Sequence, residues 1–120
     1  MIEREIRKLQ LENGRVPFDD WYQSLLDKGM RAAVDIRLAR VRLGNFGNCK
    51  HVGDGVYELK IDLGPGLRVY YGEYEGKFVL LLGGGGKSTQ QRDINEAIKW
   101  WEQWKQFKKH ENKKLSRRSS

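Results

Sequence analysis

The sequence predicts an α+β fold with the element order β-α-α-β-β-β-α. Three observations predict it. Between residues 17 and 44, apolar side chains recur at helical spacing in two consecutive stretches. Between residues 56 and 82, three β-rich runs are separated by glycine turns. A last apolar stripe at helical spacing then follows a glycine cluster. At 120 residues the chain forms one domain, long enough for a modest core without staples.

Residues 2–9 alternate loosely around Ile2 and Ile6 and read as an N-terminal edge strand. Asn13-Gly14 is a turn signal. Pro17 suits the first turn of a helix, because the amide hydrogen it lacks has no partner there anyway. Phe18, Trp21, Tyr22, Leu25 and Leu26 form that helix's apolar face, and Gly29 is its expected stop. Met30, Val34, Leu38 and Val41 form the stripe of a second helix that ends at Gly44, so the pair makes an αα-hairpin. Residues 56–63 alternate in part, with Val56, Leu59, Ile61 and Leu63 apolar and Glu58, Lys60 and Asp62 between them. Gly64-Pro65-Gly66 turns the chain into a second strand, 67–74, and Glu75-Gly76 turns it again. Residues 78–82 are apolar throughout, which predicts a central strand buried on both faces. Together these three runs form an antiparallel three-strand meander. Ser88 and Gln91 have capping-box spacing, and Ile94, Ala97, Ile98, Trp101 and Trp104 stripe the C-terminal helix. The domain is expected over residues 1–104, with 105–120 a basic helical extension and disordered tail.

The net charge is +7, but it is unevenly placed. Residues 105–120 hold seven basic side chains and one acid, so the body before them is close to neutral. A basic segment of this kind can bind nucleic acid through phosphate contacts and counterion release. It can equally be a solvated tail. The single cysteine, Cys49, excludes an internal disulfide framework, and with two distant histidines it makes no zinc-ligand spacing. No metal or cofactor is expected. The charged N-terminus is no secretory signal, and no apolar run approaches the ~20 residues of a membrane span. A cytoplasmic protein with no membrane partner is the expectation.

The run from Leu80 through Gly83-Gly84-Gly85-Gly86 to Lys87-Ser88-Thr89-Gln90 has the makings of a phosphate site. Glycines let the backbone approach a ligand, a helix start offers free N–H groups, and Lys87 adds a charge. It is not a nucleotide-binding P-loop, because Leu81 stands where that motif needs its first glycine. A glycine cluster that merely turns the chain into a capped helix explains the run equally well. Arg68 heads a strand just after the Gly-Pro-Gly turn, Lys60 lies across the hairpin, and Lys87 leaves the next strand. Three cations on adjacent strand ends can converge on one anionic centre. Tyr70 shares a face with Arg68 and is placed to stack on a base. Ordinary surface charge on a half-exposed sheet is the competing account. His51 and His110 lie too far apart in the pattern to form an acid–base pair, so proton transfer would fall to lysine, arginine or tyrosine. Trp100, Trp101, Trp104 and Phe107 suit docking of the last helix, or of a partner, better than base stacking.

Leu43-Gly44-Asn45-Phe46-Gly47, Gly53-Asp54-Gly55-Val56-Tyr57-Glu58-Leu59, Gly64-Pro65-Gly66-Leu67-Arg68-Val69-Tyr70-Tyr71, and Leu81-Leu82-Gly83-Gly84 through Lys87-Ser88-Thr89-Gln90 with Arg92-Asp93-Ile94 occur in that order. This ordered set resembles the RelE/ParE superfamily of small toxins, and within it the phage-derived, HigB-like addiction module killer proteins. The resemblance runs from about residue 16 to residue 98. It implies a RelE-like fold and the toxin of a type II toxin–antitoxin module. The commonest activity of such toxins is ribosome-dependent endoribonuclease cleavage of mRNA, by 2′-hydroxyl attack without a metal. By that resemblance Arg68, Lys60 and Lys87 are the catalytic residues, and Tyr70, Ser88, Thr89, Gln90 and Arg92 contact RNA. The implied partners are a cognate antitoxin, the ribosome with its mRNA, and operator DNA through the antitoxin complex. A ParE-like DNA gyrase inhibitor, or a non-catalytic member acting in operator binding, is the alternative. Glu58 and Asp62 stand where RelE-type enzymes carry a lysine and an arginine.

Overall fold

The computed structural model describes residues 2–119, with side chains through residue 113. Met1, Ser120 and the side chains beyond 113, where the disordered tail is expected, lie outside the described residues. The elements are β1 (Glu5–Lys8), α1 (Pro17–Ser24), α2 (Lys28–Arg42), β2 (Cys49–Gly53), β3 (Val56–Ile61), β4 (Leu67–Tyr74), β5 (Phe78–Gly85) and α3 (Gln90–Ser119). The fold is α+β, but its order is β-α-α-β-β-β-β-α, one strand more than the predicted order. The additional strand is β2. It pairs antiparallel with β3 through a tight turn in which Asp54 and Gly55 both have positive φ. Its Lys50 and His51 face solvent and it lies at the sheet edge, so it lacks the apolar alternation that betrays a strand in sequence.

The five strands form one mixed sheet in the order β1-β5-β4-β3-β2. The meander β3-β4-β5 is antiparallel, as expected, and β1 joins β5 in parallel. β1 is indeed an edge strand, and its neighbour β5 is buried through Val79, Leu80, Leu81 and Leu82. Helices cover both faces. Phe18 of α1 and Val34, Leu38 and Val41 of α2 pack with Leu59, Val69, Tyr71, Val79 and Leu81 on one face. Ile94, Ala97 and Trp101 of α3 pack with Val56, Tyr70, Leu80 and Leu82 on the other.

Two local readings change. Gly29 does not stop the first helix. α1 ends at Ser24, and the Asp27 carboxylate accepts hydrogen bonds from the Gly29 and Met30 amides (2.7 and 3.1 Å), capping α2 so that it begins at Lys28. Leu26, read as part of α1's apolar face, is instead exposed in the connection. The glycine run is also not a loop, because β5 continues through Gly85. A β-carbon on Gly84 would lie 2.3 Å from the Trp21 ring, and one on Gly85 would lie 1.9 Å from the Asp93 carboxylate. These glycines flatten the strand so that α1 and α3 can sit directly on its backbone. Gly72 does the same for Trp101, whose ring would lie 2.6 Å from a β-carbon there.

Candidate functional site

β3 and β4 carry the polar residues of the sheet's α3 face. Register pairs Arg68 with Lys60 on one side and with Gly85 on the other. One step along, Tyr70 pairs with Glu58 and with Gly83. Strand alternation therefore places Glu58, Lys60, Arg68 and Tyr70 on the same face, at and beyond the start of α3. Where α3 covers them they are buried, and where it does not they open into a groove.

The covered part is a polar cluster centred on Glu58, which is 2% exposed. Its Oε2 accepts hydrogen bonds from the Tyr70 hydroxyl at 3.1 Å and from the Gln90 side-chain amide at 2.9 Å. Arg68 Nε lies 3.8 Å from the same oxygen, and Lys50 Nζ reaches Oε1 at 3.9 Å from the sheet edge. A buried carboxylate is costly unless paired and hydrogen-bonded, and here it is both. The Gln90 bond also ties the first residue of α3 to β3. Burial, the nearby Glu58 charge and the hydrogen bond to it all hold the Tyr70 hydroxyl well above its ordinary pKa, so it stays a proton donor to Glu58.

Arg68 is only 6% exposed, and its Nε and Nη1 have no hydrogen-bond partner among the described residues. Buried donors without acceptors cost free energy that an incoming oxyanion recovers. The guanidinium lies against the Gly64-Pro65-Gly66 turn, where a β-carbon on Gly66 would sit 3.5 Å from Nη1. It lines an open groove of about 390 Å³ together with Lys60, Lys87, Asp62 and that turn. The three cations picked out in the sequence are thus brought to one wall. Asp62 is the acidic member, with an oxygen 3.7 Å from Lys60 Nζ.

The remaining sequence candidates divide. Lys87 and Ser88 are exposed in the loop between β5 and α3. Thr89, directly before α3, donates its hydroxyl to the Asp93 carboxylate at 2.6 Å, and Gln91 reaches Asn95 at 3.0 Å in place of the capping box expected with Ser88. Gln90 is committed to Glu58, and exposed Arg92 lies 3.9 Å from Asp93. Tyr70 corrects the expectation of base stacking. Its ring is wholly buried under α3, and a ring without exposed surface supports the site instead. Sequence reasoning missed Glu58 as a member of the site. The signal was an acid between Val56 and Lys60 on a core strand, opposite a tyrosine.

A second buried cation is structural. Arg37 of α2 donates to the carbonyls of Phe46 and Asn48, fixing the loop that leads into β2. A β-carbon on Gly47 would lie 2.7 Å from its guanidinium.

No protein-family profile matches the chain. It is 46% identical over 80 residues to an uncharacterized protein of Haemophilus influenzae, a match covering 67% of this chain and 81% of that one. The chain belongs to the same family as that protein. Among the described residues, no helix is long and apolar enough to cross a membrane.

Proposed function

We propose that this protein is the toxin of a type II toxin–antitoxin module, a ribosome-dependent endoribonuclease that cleaves mRNA in the cationic groove. The observation that supports the reading is the grouping of Lys60, Lys87 and Arg68 around one opening, with two buried Arg68 donors unpartnered. The ordered motifs from Gly44 to Ile94, described above, supply the choice of RNA as the anion.

In this reading the scissile phosphate enters against the Arg68 guanidinium. The RNA 2′-hydroxyl oxygen attacks the adjacent phosphorus, forming a P–O bond as the bond to the 5′ oxygen breaks. The products are a 2′,3′-cyclic phosphate and a free 5′-hydroxyl, the proton lost from the 2′-oxygen being balanced by one gained at the 5′-oxygen. Negative charge grows on the phosphoryl oxygens during attack. Cations fixed in advance stabilise that charge more than they stabilise the ground state. Arg68 is fixed by burial and by Glu58 beneath it, whereas Lys60 and Lys87 are exposed and adapt to the substrate. Ser88 and Arg92 are exposed, and this reading assigns them to the RNA strand beyond the scissile phosphate. A cognate antitoxin and operator DNA bound through it complete the proposal.

The test is inducible expression in a host lacking any antitoxin, with primer extension on translated and untranslated copies of one mRNA. New 5′ ends on the translated copy alone, lost in Lys87→Ala and in Arg68→Lys, are expected. Because Arg68 is buried, each variant is checked for an unchanged melting transition. Growth arrest with DNA breaks and intact mRNA would replace this reading with gyrase inhibition.

A further inference from the structure

A second groove is larger than the cationic one. It is an opening of about 750 Å³ between α3 and the segment that follows β1. Leu9, Leu11, Trp100, Trp104 and Phe107 line it, with Glu12 and Lys99 among its polar members. Trp100, Trp104 and Phe107 recur at i, i+4 and i+7, so they form one stripe along α3. Trp104 is anchored by the rings of Tyr74 and Trp101, with centroids 4.6 and 5.3 Å away. Phe107 has nothing comparable and is 58% exposed. From Lys105 to Lys113 no residue of α3 is buried, although the helix continues. Its aromatic stripe thus runs past the end of the body that it docks.

Charge selects the occupant. Between residues 99 and 113, α3 carries five lysines and two glutamates. Lys105 and Lys108 sit over the Trp101 and Trp104 rings, each at 5.7 Å, so the cations edge the apolar stripe. Inside the groove one acid and one base balance, leaving an aliphatic and aromatic floor. A nucleic acid needs cations along its backbone track, whereas this groove keeps its cations at the margin. A second copy of the chain would bring its own net charge of +7 to the same margin. We infer that this groove docks an acidic amphipathic helix of a partner protein, its apolar face on Trp100, Trp104 and Phe107 and its carboxylates facing the lysines of α3. This is helix-in-groove recognition with a charged rim. It stands independently of the reaction assigned to the cationic groove.

The experiment uses the full chain and two synthetic helical peptides of about four turns. Both carry leucines at i, i+3, i+4, i+7 and i+11; one has glutamates elsewhere, the other lysines. Binding is followed by tryptophan fluorescence and by amide chemical-shift changes. The expected result is saturable binding of the glutamate peptide, at least about tenfold tighter than the lysine peptide, with shifts confined to residues 9–13 and 99–108. Phe107→Ala, at an exposed position, should weaken it about tenfold or more without moving the melting temperature. Lys60→Ala should leave it unchanged. Equal binding of the two peptides, or indifference to Phe107→Ala, overturns the inference. So does tighter binding of a single-stranded oligouridylate at this face, or a dimer in sedimentation that Phe107→Ala dissociates.

Discussion

The two faces of β4 follow opposite rules within one strand. Leu67, Val69 and Tyr71 lie under α1 and α2 in a layer of hydrophobic side chains. Arg68 and Tyr70, their immediate neighbours, lie towards α3 among Glu58 and Gln90. Both faces are buried, but the first gains free energy by removing apolar surface from water, and the second must offset desolvation with specific partners. The first face holds the domain together. The second spends stability on a guanidinium with free donors at the mouth of a groove.

This contrast yields graded expectations. The largest effect belongs to the apolar face. Leu59→Ala, at a fully buried position, should cost about 3 kcal/mol in urea unfolding while leaving activity per folded molecule intact. Glu58→Gln comes next on the polar face. It keeps hydrogen-bonding capacity towards Tyr70 and Gln90 but leaves Arg68 as an uncompensated buried cation, at a cost of about 2 kcal/mol. A neutral result in the same unfolding assay would mean that water in the groove already solvates Arg68, and that the two faces differ less than their burial suggests.

Tyr70→Phe is smaller, about 1 kcal/mol for one hydrogen bond, and it has a pH signature. The folded hydroxyl's pKa is raised above its ordinary value of 10.0, so its contribution is complete below pH 10. Above that the unfolded chain releases the proton and the folded chain does not, so stability falls as pH rises towards the folded value. Stability curves of wild type and Tyr70→Phe should therefore converge above pH 10, and parallel curves would place Tyr70 outside the cluster. Lys87→Ala should have the smallest effect on stability, within about 0.5 kcal/mol, because the residue is exposed. If the proposed mRNA cleavage is the protein's activity, the rate should nonetheless fall about 100-fold, separating function from fold in one substitution.

What could be read from the sequence follows the same division. The apolar stripes of α1, α2 and α3 announced themselves by period, and the three strands of the meander by partial alternation, β-rich composition or an unbroken apolar run between glycine turns. β2 did not, since an edge strand with solvent on one side has little to alternate. The convergence of Lys60, Arg68 and Lys87 was legible because strand alternation and hairpin register are local rules. The burial of Arg68 and Tyr70 was not, because it depends on where α3 lies across the sheet. Nor was the purpose of Gly83, Gly84 and Gly85, which read equally as a phosphate site or as a turn into a capped helix and are seats for Trp21, Trp100 and Asp93. Glycine tolerates both roles, and only the neighbours distinguish them.

The parallel pairing of β1 with β5 sets a timetable for synthesis. Glu5 is made long before its partner, Phe78. A contact so distant in sequence closes slowly and cannot form while the intervening chain is still being made. The sheet therefore acquires its centre only when β5 emerges, and Lys87 follows it directly. A chain abandoned before that point has one wall of the groove missing and its first strand unpaired. Assembly of the sheet is thus tied to the synthesis of β5.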